Sequence, residues 1–340
     1  MSLVIPQWAP RAPLEPLQLD WLAQAGVELA VLRLDLIDPL ISGNKWFKLT
    51  PHLVSAAAVG ADGLISLGGA HSNHLHALAA VGKRFSFPTA GLLRGEPQDT
   101  PTVRDLQAWG MQLHWLGYGG YRARHRPDFW AQWQARYPKL HAVPEGGGGL
   151  PGALGCAALV TQAREQLAAL GWADYDGWWL AVGTGTTLAG LVLAEAGAHP
   201  VFGAMAVPGD HGVAQQVQTI LCQAGVADRG YRLLDACRGG FAKVDAELAC
   251  FILELEACSG VPLEPLYTAK ALMALRQRVE AGYFAPGTRL LFVHTGGLQG
   301  RRAARMNNDT NNEPMRSRDL AGPVAGDAEL RPVESGYPHE

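Results

Sequence analysis

Residues 177–194 read Gly-Trp-Trp-Leu-Ala-Val-Gly-Thr-Gly-Thr-Thr-Leu-Ala-Gly-Leu-Val-Leu-Ala. No residue in the run is charged, and it is nearly long enough to span a membrane. Gly183 and Gly185, with Thr184, Thr186 and Thr187, divide it. Before them, Gly177–Val182 is a short apolar run with bulky side chains, the pattern of a strand buried on both faces. After them, Thr187–Gly197 has the length and apolar density of a helix. Strand, glycine loop and helix make up the repeating unit of a parallel sheet, so the stretch predicts an α/β fold and not a membrane span.

The same alternation extends outward from this unit. Strands are predicted at Leu64–Leu67, Thr89–Leu93, Gln112–Leu116 and Leu140–Val143, with helical patterns at His74–Arg84, Thr102–Gly110 and Pro127–Tyr137 between them. A second series has a helix over Gly152–Leu170, a strand over Val201–Val207 and a last strand over Arg289–His294. Dividing the two is Pro144-Glu145-Gly146-Gly147-Gly148-Gly149-Leu150-Pro151. Four consecutive glycines continue neither strand nor helix cheaply, so the chain turns there or approaches a ligand. Beyond Arg302 the apolar period stops, and residues 304–340, rich in Asn, Pro, Gly and charge, are predicted to be a disordered tail outside the core.

Composition narrows the class. The chain has 340 residues, 48% of them apolar and 17% charged, enough to bury a sizeable core and too apolar for general disorder. Its 28 basic and 31 acidic residues leave a net charge of −3, with no basic surplus for a nucleic-acid partner. Cys156, Cys222, Cys237, Cys250 and Cys258 are an odd set with no C-x-x-C spacing, and the first residues carry prolines and an arginine where a signal peptide needs an unbroken apolar core. Both features point to the cytoplasm. His71, His74 and His76 do not share one helical face, and no cysteine or carboxylate joins them, so no metal is expected.

Four short segments carry chemistry. In Ser42-Gly43-Asn44-Lys45-Trp46-Phe47-Lys48-Leu49, an amide and two large rings surround Lys45 and leave its amine poorly solvated. Desolvation favours the neutral amine, the form that attacks an aldehyde, and Lys48 one turn on adds a second charge that acts the same way. In Gly68-Gly69-Ala70-His71-Ser72-Asn73-His74, a strand gives way to a helix whose free N–H groups suit a carboxylate. Gly183-Thr184-Gly185-Thr186-Thr187 offers backbone and hydroxyl donors for one phosphate monoester. It lacks the lysine of a Walker loop, and Leu188 stands where a dinucleotide fingerprint has its third glycine. That counts against a nicotinamide oxidoreductase, while a metabolite-binding protein without catalysis would keep the same cup. The fourth segment is Tyr267-Thr268 together with the strand end His294-Thr295-Gly296-Gly297. An acceptor amine, a monophosphate cup and a carboxylate anchor together suit pyridoxal 5′-phosphate working on an amino acid.

On these motifs the chain resembles the 1-aminocyclopropane-1-carboxylate deaminase and D-cysteine desulfhydrase family, of the tryptophan-synthase-β type. The likeness runs over roughly residues 30 to 300 and is most specific at Gly43-Asn44-Lys45 followed by Lys48-Leu49. It implies that Lys45 bonds to the cofactor and then transfers protons. Asn44 and Asn73 contact the cofactor, and Ser72 and Asn73 hold the substrate carboxylate. Gly183, Thr184, Gly185, Thr186 and Thr187 bind the phosphate, and Thr295 is a further cofactor contact. Tyr267 is a second acid/base or positions the leaving group. The resemblance also implies two domains with parallel-rich twisted sheets, the larger from residues 1–50 and 151–303, the smaller from 51–150, and a homodimer.

Two departures bear on the reaction. The deaminases have a glutamate facing the ring nitrogen where this chain has Thr268, as the desulfhydrases do, and their other active-site tyrosine falls at Phe241. A hydroxyl supports the charged ring less than a carboxylate does, which weakens the electron sink. The expectation is therefore β-elimination from a small amino acid, most like D-cysteine desulfhydration, with cyclopropane deamination as the alternative.

Overall fold

The computed structural model describes residues 3–240 and 243–302; Phe241 and the predicted tail at 304–340 lie outside the described residues. The strands are β1 (Leu14–Leu17), β2 (Glu28–Arg33), β3 (Gly63–Gly68), β4 (Thr89–Leu93), β5 (Gln112–Trp115), β6 (Leu140–Ala142), β7 (Gly177–Val182), β8 (Val201–Met205), β9 (Tyr231–Asp235) and β10 (Arg289–His294). The helices before the glycine turn are α1 (Asp20–Ala25), α2 (Lys45–Ala58), α3 (Asn73–Phe85), α4 (Pro101–Ala108), α5 (Gly117–Arg122) and α6 (Phe129–Arg136). After it come α7 (Gly149–Cys156), α8 (Ala158–Arg164), α9 (Thr186–Glu195), α10 (Val213–Gln223), α11 (Ala246–Ser259) and α12 (Thr268–Glu280).

The strands form two sheets. One has six strands in the order β1-β2-β10-β7-β8-β9, parallel except for β1 against β2. The other has four strands in the order β5-β4-β3-β6, all parallel. Their central strands are buried along their whole length, as parallel strands covered by helices on both faces must be. Neighbouring residues on a strand face opposite sides, so Trp178 and Trp179 enter different cores, as do Leu64 and Ile65. One core is common to both sheets, since Leu64 and Leu93 of the smaller join Leu180 and Leu291 of the larger.

One sequence expectation needs correction, and one strand has no counterpart in the sequence reading. The helix expected over 152–170 starts earlier, at Gly149, and breaks into α7, α8 and a 3₁₀ turn at Leu167–Leu170. Glycines bring α7 against its neighbours: a Cβ at Gly155 would lie 1.9 Å from the carbonyl oxygen of Phe47 in α2, and one at Gly152 1.9 Å from that of Gly147. The first 60 residues also supply β2, which pairs with β10 in register from Glu28 to Arg33. That pairing joins distant parts of the chain and has no local signature. The carboxyl ends of β3, β7 and β10 run into the glycine turns at 68–69, 183–185 and 296–297, where parallel α/β sheets place their ligands.

Candidate active site

The site is built around the start of α2. Gly43 has φ +86°, and a Cβ there would lie 2.2 Å from the Thr295 carbonyl oxygen, so glycine is required for the two loops to meet. Asn44 donates its backbone N–H to that carbonyl at 3.2 Å. Its side-chain Nδ2 donates to Thr187 Oγ1 at 2.8 Å, while its Oδ1 accepts from Lys45 Nζ at 3.2 Å. Asn44 therefore ties the lysine, the phosphate-loop side and the end of β10 together. Burial pushes the Lys45 amine down to about 8, against the opposing pull of Cys156 and Glu264. At neutral to mildly alkaline pH a substantial fraction is then the neutral nucleophile.

Lys48 is one turn further along α2 and only 2% exposed. Burial, with the charge of Lys45, holds its amine well below the usual lysine range. Its Nζ lies 3.5 Å from Thr184 Oγ1 in the loop after β7. In that loop Gly185 has φ +77°, and a Cβ there would meet Val217 Cγ2 at 2.5 Å. No side chain caps α9, so its first N–H groups are open, and the Thr184 and Thr186 hydroxyls stand 3.1 Å apart beside them. A cleft of about 340 Å³ adjoins both threonines and is walled by Gly148, Glu145, Arg124 and Gln216. An anion at this cup would meet open N–H groups and hydroxyls and would restore the charge on Lys48. The residues present therefore fit the phosphate of pyridoxal 5′-phosphate, with the neutral fraction of the Lys45 amine available to its aldehyde.

The remaining expected residues converge on the same place, with some of their polar groups already engaged. Ser72 caps α3, its Oγ accepting from the Leu75 N–H at 3.2 Å. Asn73 Oδ1 accepts from Gln299 Nε2 at 2.7 Å, and a Cβ on Gly297 would come within 2.7 Å of Asn73 Nδ2. The Tyr267 ring packs on Gly183, where a Cβ would lie 3.0 Å from its Cε1. Burial and the nearby Glu264 and Glu145 raise its phenol, keeping the hydroxyl protonated at neutral pH. Thr268 is fully buried, and its hydroxyl lies between the backbone N–H of Glu264 at 2.9 Å and the Glu264 carbonyl at 3.2 Å.

Sequence reasoning missed Glu264. It is 1% exposed and accepts the backbone N–H groups of Leu266, Tyr267 and Thr268, capping α12. Burial nevertheless pushes its carboxyl up to about 7. The acid stands just ahead of Pro265, a position with no standard capping pattern, so nothing in the local sequence marks its carboxyl as buried. Also missed was the function of the glycine turn. Gly146 and Gly147 leave room for Lys48, Thr184 and His74, since a Cβ on either would lie 3.2–3.8 Å from them. Of the three histidines considered for a metal, His74 bonds Ser66 and His76 bonds Asp105. Among the described residues no group of three or more metal-ligating side chains occurs.

The sequence model of the pyridoxal-phosphate-dependent enzymes matches residues 9–296. The chain belongs to that family. Its cofactor is pyridoxal 5′-phosphate, and its fold is the tryptophan-synthase-β type. A Pyrococcus abyssi protein with a provisional 1-aminocyclopropane-1-carboxylate deaminase name is 27% identical over 82% of this chain and 86% of its own. The mitochondrial bifunctional D-cysteine desulfhydrase/1-aminocyclopropane-1-carboxylate deaminase of Arabidopsis thaliana is 27% identical over 81% of this chain and 73% of its own. Among solved structures, an ACC deaminase homologue superposes with a TM-score of 0.76 at 24% identity, covering 91% of this chain and 95% of that one. No helix of the described residues is long and apolar enough to cross a membrane.

Proposed function

We propose that this enzyme is a lyase that eliminates the β-substituent of a small amino acid, most like D-cysteine, which with water gives pyruvate, ammonia and hydrogen sulfide. When bound, pyridoxal 5′-phosphate supplies the electron sink for charge developing at the substrate α-carbon. Lys45 Nζ, its charge made less favourable by burial and its position steadied by Asn44, takes the α-proton. Asn73, with the N–H groups at the start of α3, receives the carboxylate. Ser72 contributes to that anchor if its hydroxyl turns away from the Leu75 N–H. Tyr267 keeps its proton and is held against Gly183, so it can protonate or position the leaving group. We further read residues 51–150, which carry the smaller sheet, as the smaller of two domains, and the enzyme as a cytoplasmic homodimer, in keeping with five free cysteines.

The observation that carries the choice of elimination is Thr268. Its side chain has no charge, and its hydroxyl is already engaged with the Glu264 main chain. Expelling thiolate from a β-carbon needs only a modest sink, whereas opening a cyclopropane breaks a carbon–carbon bond and asks more of it. Cyclopropane deamination is the second reading, favoured by the names of the archaeal relatives and by the buried Glu264 carboxyl in the same turn. One assay for 2-oxo acids separates the two. D-Cysteine or β-chloro-D-alanine should give pyruvate readily, and 1-aminocyclopropane-1-carboxylate should give little 2-oxobutanoate. Efficient turnover of the cyclopropane would put the second reading first.

A further inference from the structure

His74, the second residue of α3, is 2% exposed, and Ser66 on β3 is fully buried. Ser66 Oγ lies 2.7 Å from His74 Nε2 and 2.8 Å from the Val143 carbonyl oxygen. A hydroxyl has one proton, and a carbonyl oxygen can only accept. The Ser66 proton therefore goes to Val143, and His74 donates from Nε2 to the serine oxygen. This fixes the tautomer: Nδ1 is a bare acceptor. That atom is buried and has no hydrogen-bond partner. Such an unmet acceptor is unfavourable unless a donor arrives.

The donor at hand is Lys48. A Cβ on Gly147 would lie 3.2 Å from Lys48 Cβ and 3.6 Å from His74 Nδ1, so the two side chains flank the same bare glycine. The other titratable groups around them are Lys45 and His52 on α2 and Cys156 on α7. None of these is an anion at neutral pH, because burial depresses His52 and raises the Cys156 thiol.

We propose that His74 is the positioning residue for Lys48: its bare Nδ1 takes one N–H of the Lys48 ammonium, leaving two for Thr184 and the cofactor's phosphate. The inference rests on the phosphate reading of the loop at 183–187. It makes cofactor binding a proton-uptake event, because burial lowers the Lys48 amine and a phosphate beside it raises the amine again.

The test is calorimetric titration of the full-length protein, stripped of cofactor, with pyridoxine 5′-phosphate. That analogue keeps the phosphate but has no aldehyde for Lys45. Runs at pH 8.5 in two buffers of different ionisation enthalpy give the protons taken up. The wild type should take up protons. His74→Gln keeps a group to bond Ser66 but has no acceptor at the δ position, so its uptake should fall by at least about half and its affinity by about tenfold. His74→Asn restores a δ acceptor and should recover both to within about threefold of wild type. Unchanged uptake in His74→Gln, or equal impairment of the two variants, would overturn the proposal. If His74→Gln does not fold, Lys48→Met should cut the uptake by at least about half, leaving what Lys45 contributes, and undiminished uptake would be equally fatal. Failure of the wild type to bind the analogue would instead remove the phosphate reading, and this proposal with it.

Discussion

Two strand-to-helix turns in this molecule look alike in sequence and differ in what they leave open. The turn after β3, Gly68 to Asn73, ends in a serine that caps its own helix through the Leu75 N–H. The turn after β7, Gly183 to Thr186, has no capping side chain, because its N-cap is Gly185 in the left-handed region. Both helices present a positive end. At α3 the serine takes the Leu75 N–H, whereas at α9 no side chain takes any, and the hydroxyls of Thr184 and Thr186 and the amine of Lys48 turn to the same place. A serine cap stabilises a helix by about 1 kcal/mol. Its absence at α9 is consistent with a site left for a ligand that supplies the cap. The start of α12 is a third case, closed by the buried carboxyl of Glu264.

The harshest way to break the comparison is to fill the open turn. Gly185→Asp adds a charge to the anion's place, and its Cβ would sit 2.5 Å from Val217 on a backbone with φ +77°. Cofactor affinity should fall by at least about tenfold, read by absorbance titration, and the thermal midpoint should fall as well. The matching change in the other turn is Gly69→Ala, where a Cβ meets nothing within 4 Å. Its unfolding free energy should stay within about 0.5 kcal/mol of wild type. An unaffected cofactor titration in Gly185→Asp would reduce the loop to a mere turn.

The carboxyl-capped helix sharpens the contrast through pH. Folding raises Glu264 from 4.5 to about 7, so the folded protein holds this proton more tightly than the unfolded chain. The associated stability is present in full below about pH 4.5 and is lost as pH rises through 7. Between pH 4.5 and 7.5 the loss from this group amounts to about 3 kcal/mol. Glu264→Gln should flatten that slope in urea unfolding at the two pH values. An identical slope in the variant would show that the three backbone donors keep the carboxylate charged.

The smallest expected effect is at the serine. Ser72→Ala removes the cap of α3 and should lower stability by about 1 kcal/mol. The kinetics of the same variant tell which task the hydroxyl has. A raised KM for the amino acid would show that it leaves the cap for the substrate carboxylate. An unchanged KM would confine it to the helix.

Much of this was legible in the sequence. Gly177–Val182, Thr89–Leu93 and Arg289–His294 were read with the bounds they have, because strands buried on both faces announce themselves as apolar runs closed by glycine or proline. Taken singly, the lysine motif reads as a solvated helix start and the threonine loop as a turn; their combination is what points to one cofactor. The failures share one cause. β2 pairs with a strand from the far end of the chain, and α7 begins where its glycines meet α2 and Gly147. Each of these depends on neighbours that the local sequence does not name.

The sequence by itself determined the α/β class, and its lysine motif and threonine loop pointed to the cofactor that the family match shows. These follow from local periodicity and from residue types whose chemistry is intrinsic. Tertiary structure decided which donors stay free. It used the Ser72 hydroxyl on Leu75 and that of Thr268 on the Glu264 main chain, and it left the N-terminus of α9 and the Nδ1 of His74 without a partner. A side chain's capacity to bond is written in its chemistry, but its availability depends on which groups folding brings within about 3 Å of it.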